Sequence, residues 1–315
     1  MGRNVKPQLV IITGPTASGK TALSLKLAKK FHGEIISADS RQIYRGMDIG
    51  TAKVRLTPSL KLREGGGELY SQKIRHHLIN IRNPNQNYTL AQYKRDAAKT
   101  IRQIQKRGKI PFLVGGTALY IWAILENPEI PEVKPNARLR KQLEKNLKSR
   151  GVGYLYQKLI RKDPEAAYII DPKNPRRIIR ALEIMQATGK PFSDTRKKGQ
   201  PLFDYLLLGA KQPKTKLKNS ISKRTRKMIK AGLVGEVKNL IKKYGSKGQA
   251  FDAIGYREII DYLNGKITLD EARELIISNT WHFSGRQMTW FKKLPIIWIN
   301  NKKQAEKLIK DFLNP

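Results

Sequence analysis

Cysteine is missing altogether from the 315 residues, which excludes disulfides and thiolate metal sites. Acidic side chains are scarce: 25 Asp and Glu stand against 63 Lys and Arg, for a formal net charge of +38. No apolar run approaches the roughly 18 residues that span a bilayer. The opening Met1-Gly2-Arg3-Asn4-Val5-Lys6 has no apolar signal segment behind it, and Lys6 stands where an acylation signal needs Ser or Thr. The expectation is a cytoplasmic protein without membrane association. There is no internal repeat and no low-complexity tract, and the length allows one large domain or two modest ones.

The excess of cations runs through the whole chain rather than a tail. A surface of this kind attracts nucleic acid by neutralising phosphates and releasing their counterions. A general bias toward lysine would only aid solubility, but basic clusters recur at particular places here, which favours nucleic-acid contact.

The stretch with the strongest chemical meaning is Gly14-Pro15-Thr16-Ala17-Ser18-Gly19-Lys20-Thr21, which fits the phosphate-cradling pattern G-x-x-x-x-G-K-[ST]. Leu9-Val10-Ile11-Ile12 before it reads as a buried strand. After it, Leu23, Leu27 and Phe31 recur every four residues, as one face of a helix would. Gly14 and Gly19 let the backbone bend so that the N–H groups of Thr16, Ala17 and Ser18 can turn inward. The helix start and Lys20 add positive charge, and the Thr21 hydroxyl suits Mg²⁺. The loop implies a bound diphosphate or polyphosphate without saying which.

Further strands follow. Glu34–Asp39 ends in a carboxylate, and groups at the carboxyl ends of parallel strands are where phosphate-binding α/β folds do chemistry. Asp39 is therefore a candidate base or metal bridge, with capping of the next turn as the plainer alternative. Residues 54–75 read as a mobile basic loop tipped by Gly65-Gly66-Gly67. His76 and His77 open a short apolar run to Ile81, and adjacent strand residues face opposite ways, so joint metal ligation is not expected. Thr89 starts a helix to about Arg107. Ile110–Val114 is a third buried strand, running into Gly115-Gly116-Thr117-Ala118-Leu119-Tyr120, which suits close approach of backbone to a ligand. Beyond Glu126, Pro128, Pro131 and Pro135 break the chain, and four helical stretches lie between 136 and 188. Arg176 and Arg180 share a helix face, with Arg177 beside them, as a row for phosphate contact or a solvated basic face. A strand at 205–209, helices over 216–243, from 253 and from 269, a strand at 295–299 and a helix at 302–313 complete the chain. Trp290 and Phe291 suit either base stacking or the core. The fold class is α/β: a P-loop NTPase-like parallel sheet flanked by helices, with an all-helical insertion domain at 128–200 between core segments 1–127 and 201–315.

Taken together, the phosphate loop, Ala38–Lys53, His76-His77-Leu78-Ile79, Gly115–Tyr120, Arg176–Glu183, Ile254–Glu258 and Arg286–Trp290 closely resemble the tRNA dimethylallyltransferase (tRNA isopentenyltransferase) family over nearly the whole length. The loop is generic, whereas Ala38–Lys53 and Gly-Gly-Thr-x-Leu-Tyr together are specific. The resemblance implies transfer of a dimethylallyl group from dimethylallyl diphosphate, assisted by Mg²⁺. The acceptor would be the exocyclic amine of the adenosine 3′ of the anticodon, in tRNAs reading codons that begin with U. It implies Asp39 as base, with Thr117 and Arg224 on the leaving diphosphate. It implies tRNA contacts from Asp39, Ser40, Arg41, Gln42, Arg140, Arg176, Arg177, Arg180, Gly255, Tyr256 and Arg286, with the insertion against the anticodon stem-loop. A monomer is expected. The sequence departs from the family at Trp281, Gly285 and Ser220, where basic residues are usual, and at Arg176, where glutamine is usual, so Arg286 alone remains of a C-terminal basic trio. Competing readings are a small-molecule P-loop kinase, an enzyme prenylating free AMP and a non-catalytic RNA binder. The basic insertion argues against the first two, and Asp39 and Thr117 at strand ends argue against the third.

Overall fold

The computed structural model describes residues 7–58, 68–133 and 136–314. The described chain runs β1 (Gln8–Thr13), α1 (Lys20–Lys30), β2 (Gly33–Ser37), β3 (Thr57–Pro58), β4 (Leu69–Ser71), β5 (Ile74–His77), α2 (Leu90–Lys106), β6 (Ile110–Gly115) and α3 (Ala118–Leu125). It continues with α4 (Ala137–Lys162), α5 (Pro175–Thr188), β7 (Asp204–Ala210), α6 (Lys214–Lys230), α7 (Leu233–Tyr244), α8 (Tyr256–Leu263), α9 (Leu269–Phe291), β8 (Ile297–Ile299) and α10 (Lys302–Leu313), with short 3-10 turns at Pro164–Tyr168 and Ser193–Arg196.

The strands form one sheet in the order β3-β4-β5-β2-β6-β1-β7-β8. All pairings are parallel except β3–β4 and β4–β5. Leu9, Val10, Ile11 and Ile12 are fully buried, as expected of a central parallel strand covered on both faces. Val10 and Ile12 pack with Leu27, Phe112, Leu208 and Ile309 in one cluster. Leu23 and Phe31 lie partly buried against that cluster, so the predicted face of α1 is the one that docks.

Two expectations change. Residues 54–75 are not one loop, because Thr57–Pro58 and Leu69–Ser71 pair antiparallel and Ile74 begins β5; Gly65–Gly67 lies outside the described residues, as does Pro135. The strand expected from His76 to Ile81 instead ends at His77, because Leu78 and Asn80 take left-handed backbone angles that a strand does not tolerate. The two histidines do diverge: His76 is buried with Nδ1 2.9 Å from the Ile74 carbonyl, and His77 Nε2 lies 2.6 Å from Glu34 Oε2.

The chain divides into two compact units, one of residues 7–89, 93–125 and 202–314 and one of residues 90–92 and 126–201. The second has its own core of Leu143, Leu155, Leu159, Ile178, Ala181 and Leu182. Helix α4 is kinked at Gly151, whose φ of 76° breaks the helical run. Asn136 and Asn174 cap α4 and α5, each side chain accepting a first-turn N–H, which satisfies a donor the helix leaves open.

In the sheet unit the ends of β2 and β6 are locked together. Ala38 N donates to Val114 O at 2.8 Å, and Thr117 N donates to Ala38 O at 3.1 Å. A Cβ on Gly115 would lie 2.1 Å from Ala38 O, and backbone packed this way cannot give. Gly115→Ala is therefore expected to destabilise the protein by about 1–3 kcal/mol, measured as a lower urea midpoint with an unchanged slope.

Candidate active site

Strands β2, β6, β1 and β7 are neighbours and parallel, so their carboxyl ends lie along one edge of the sheet. That edge gathers Asp39 after β2, Gly116 and Thr117 after β6, the phosphate loop after β1 and Gln212 after β7. Ligands in open α/β sheets bind at this kind of edge.

The loop is shaped for close approach. Gly14 has a φ of 148°, and a Cβ there would meet Ala210 O at 2.2 Å. Gly19 caps α1 with a φ of 88°. Ala17 takes a left-handed φ of 67°, which an alanine adopts only under constraint, and Gln212 Nε2 approaches its carbonyl at 3.4 Å. Ser18 is buried, and its Oγ has no hydrogen-bond partner among the described residues. An unpartnered hydroxyl at this place suits a ligand oxygen. The first-turn N–H groups of α1, from Lys20 and Thr21 onward, have no intrahelical acceptors and carry the positive end of the helix dipole.

A cavity of about 400 Å³ opens in front of the loop. Its polar lining includes Thr16, Lys20, Asp39, Ser40, Arg41, Thr117, Arg224 and Arg286, and its apolar lining includes Ile221, Met228, Ile254, Ile276 and Phe283. Lys20 Nζ donates to Pro15 O at 3.2 Å. Burial lowers the Lys20 ammonium to about 8; the Asp39 carboxylate opposes that shift and Arg224 reinforces it. Arg224 is also pulled below its ordinary value by burial, again opposed by Asp39. The Asp39 carboxylate thus favours both cations through space, with no ion pair to either among the described residues.

Asp39 does the structural job and leaves room for a chemical one. Its Oδ1 accepts from Arg41 N at 2.8 Å and more loosely from Gln42 N at 3.4 Å. Its Oδ2 has no hydrogen-bond partner among the described residues. The Thr117 hydroxyl accepts from Ser40 N at 3.0 Å and lies 3.4 Å from Ser40 Oγ, which ties the β6 turn to the β2 turn.

The other residues singled out from the sequence are distributed as follows. Arg41 donates to the Gln249 carbonyl. Gln42 Nε2 donates to Thr51 O at 3.2 Å. Gly255 lines the cavity, and Tyr256 is fully buried with its hydroxyl donating to Glu236 at 2.6 Å. Arg286 lies 5.8 Å over the Phe283 ring. Phe291 is core, whereas Trp290 is half-buried with Lys293 5.9 Å from its ring. In the helical unit, Arg140 donates twice to buried Glu183, at 2.7 and 2.6 Å, and Arg180 reaches the same carboxylate at 3.4 Å. Arg176 is exposed and Arg177 half-buried on α5.

Sequence reasoning missed three supporting groups. The Glu236 carboxylate accepts from the successive N–H groups of Asp48, Ile49 and Gly50, at 3.0, 2.7 and 3.1 Å. It thereby holds the turn whose Thr51 carbonyl receives Arg224 Nη2 at 3.4 Å. Lys53 is 2% exposed at its side chain and binds Asp48 and Asn80 at 2.7 and 2.6 Å. Gln287 on α9 bonds Thr16 N at 2.9 Å and Gly116 O at 2.8 Å. Apart from Lys53 and Asp48, which are 5 residues apart, these partners lie 27 to 271 residues apart, so their spacings match no short motif. For Glu236 and Gln287 the one signal available was the polar residue itself inside a helix that otherwise packs.

The IPP transferase family model matches residues 42–294, and an isopentenyl transferase model matches residues 7–59. The tRNA dimethylallyltransferase of Carboxydothermus hydrogenoformans is 43% identical over 302 residues, covering 95% of this chain and 93% of that one. That of Caldanaerobacter subterraneus subsp. tengcongensis is 41% identical, covering 96% and 95%. Among solved structures, the tRNA isopentenylpyrophosphate transferase of Bacillus halodurans is 37% identical with a TM-score of 0.67, covering 98% of this chain and 96% of that one. A eukaryotic dimethylallyltransferase acting on tRNA is 28% identical with a TM-score of 0.78, covering 98% and 79%.

The lowered Lys20 has a consequence for anion binding. Below about pH 8 the ammonium is charged and attracts a diphosphate; above it the free protein loses that charge. An entering diphosphate favours the charged form and raises the pKa. Pyrophosphate affinity is therefore expected to fall as pH rises past 8, with proton uptake on binding just above it. Calorimetry in buffers of different ionisation heat reads both.

Proposed function

This chain belongs to the IPP transferase family and is a tRNA prenyltransferase, and we propose that its cavity transfers a dimethylallyl group from dimethylallyl diphosphate to the exocyclic amine of the adenosine 3′ of the anticodon. The observation that carries this reading is the pairing, along one sheet edge, of a phosphate-loop cation cluster with a carboxylate whose Oδ2 is unengaged. The diphosphate lies against the first-turn amides of α1 and Lys20, with Arg224 and Thr117 on its far side. The C1–O bond of the donor breaks, a C1–N bond forms at the adenine amine, and pyrophosphate leaves. Asp39 Oδ2 receives the amine proton, which an arylamine gives up only as its nitrogen becomes positive. The charge growing on the departing oxygens is met by donors already in place, so little reorganisation is needed. The apolar wall of Ile221, Met228, Ile254, Ile276 and Phe283 matches a short hydrocarbon and excludes water.

The donor set suits a Mg²⁺ ion held chiefly by substrate. The Thr21 hydroxyl is exposed at the start of α1, and Mg²⁺ commonly keeps one or two protein oxygens beside phosphate oxygens. No group of three or more His, Cys, Asp or Glu able to hold an ion occurs among the described residues. Bound there, Mg²⁺ would neutralise charge on the leaving diphosphate.

An adenine in an anticodon loop is stacked and must be turned out to reach this cavity, at a cost of a few kcal/mol. We propose Ser40, Arg41, Gln42, Gly255, Tyr256 and Arg286 around that base and its backbone. Arg140, Arg176, Arg177 and Arg180 would serve the anticodon stem-loop. Tyr256 would act from within the core by setting Gly255, and Arg140 would be held in place by its grip on Glu183.

Labelled dimethylallyl diphosphate, Mg²⁺ and bulk tRNA, run against AMP and ATP controls, test the reading. Label is expected in tRNA alone, and γ-phosphoryl transfer from ATP without isoprenoid use would overturn it. Asp39→Asn keeps the Oδ1 acceptor for Arg41 N but removes the base. It is expected to fold and bind tRNA while losing at least about a hundredfold in turnover. Full activity in that variant removes the assigned base. Affinity for tRNA should fall steeply with added salt, in proportion to the phosphates contacted, as a filter-binding titration would record.

A further inference from the structure

Gln287 sits on the last third of α9, 5% exposed, and neither its place on the helix nor the core explains a buried amide there. Its carbonyl Oε1 accepts from Thr16 N–H at 2.9 Å, and its Nε2 donates to Gly116 O at 2.8 Å. A donor faces one end and an acceptor the other, so the amide orientation is dictated by its partners. One side chain therefore bridges the phosphate loop after β1 and the Gly-Gly-Thr turn after β6.

The second glycine of that turn is explained by the same contact. A Cβ on Gly116 would lie 2.5 Å from Gln287 Nε2, and its next neighbours, Gly14 O and Lys20 Nζ, are at 3.5 and 3.6 Å. Its backbone is not in the left-handed region, so conformation does not demand glycine there. The space is kept open for the glutamine. Gly115, by contrast, is required by the Ala38 carbonyl.

We infer that Gln287 is a positioning residue that fixes the gap between the diphosphate cradle and Thr117. The inference rests on the diphosphate reading above. The bridge holds the Thr16 amide out of the cradle and leaves the α1 first-turn amides, Lys20 and Thr117 to grip the diphosphate. It also places α9, which carries Phe283 and Arg286 into the same cavity, in register with the loop. Without the bridge the two turns are free to drift apart, and ligand must draw them together again, which weakens binding.

The test is pyrophosphate affinity by calorimetry, with melting temperature measured alongside. Gln287→Met keeps the volume and removes both hydrogen bonds. It is expected to weaken pyrophosphate about tenfold and to raise the KM for the prenyl donor similarly, while tRNA affinity stays. Gln287→Glu keeps an acceptor for Thr16 but opposes Gly116 O and the ligand's charge, so it should bind more weakly still. The decisive measurement is a double-mutant cycle with Gly116→Ala. Alone, G116A pushes the amide aside and should copy Q287M; in a Gln287→Ala background the added methyl meets only ordinary contacts, at 3.5 Å to Gly14 O and 3.6 Å to Lys20 Nζ, and should cost little more. Additive losses, or unchanged pyrophosphate binding by Q287M beside a wild type that binds, overturn the inference. A wild type that fails to bind pyrophosphate at all overturns the diphosphate reading and this inference with it.

Discussion

Lys20 and Arg224 line one partly enclosed cavity with Asp39, whose carboxylate favours both cations, and both are pulled below their ordinary pKa values by burial. Like charges brought out of water repel and lose hydration. The fold must hold them there through contacts elsewhere, and an entering diphosphate relieves the stress. The cavity is thus built to be incomplete until an anion arrives. A leaving group whose charge grows during reaction gains more from such a site than a static ligand does.

What keeps the cations in place is backbone, not other charges. Arg224 is directed by the Thr51 carbonyl, the Thr51 turn is held by Glu236 through three successive N–H groups, and Tyr256 completes that carboxylate's partners. Lys20 is steadied by its own loop through Pro15 O. Asp39 is braced by the turn it caps, which in turn is tied to Thr117 through Ser40. Each catalytic candidate is therefore positioned by hydrogen bonds made before any ligand arrives. Strand ends fixed by a parallel sheet give these short turns a rigid base.

How legible this was follows from the reach of each interaction. The phosphate loop, its strand and its helix could be read directly, because Leu9–Ile12, the glycines and Lys20 are contiguous and their periodicities are strong. Asp39 and Thr117 could be placed at strand ends, but only the sheet order β2-β6-β1 brings them beside the loop. The β3–β4 pairing was missed because strands of two and three residues carry no alternation to detect. The strand expected at His76 was cut short by Leu78, whose positive φ nothing in its identity announces, and by Asn80, of a type that takes such angles readily. Glu236 and Gln287 were invisible because a polar residue on a helix reads as solvent-facing until its distant partner is known, and Lys53 because a lysine in a loop reads the same way. Tyr256 and Arg140 were read as RNA contacts from resemblance, and their partners, half-buried Glu236 and buried Glu183, emerged only from the packing.

The uneven charge of the chain has a structural side as well. Of its few acids, Glu34, Asp163, Glu183 and Glu258 are buried, and each is engaged. Glu34 takes His77 and Arg107, Asp163 takes both the N–H and the hydroxyl of Ser193, Glu183 takes two arginines, and Glu258 takes Gly255 N, Arg257 and Asn279. A carboxylate accepts several hydrogen bonds at once, so one acid inside can join segments that would otherwise need many apolar contacts. Even so, 25 acids cannot balance 63 lysines and arginines wherever they are placed. The positive field that draws an RNA phosphate chain follows from that imbalance, while the few buried carboxylates serve to align the interior.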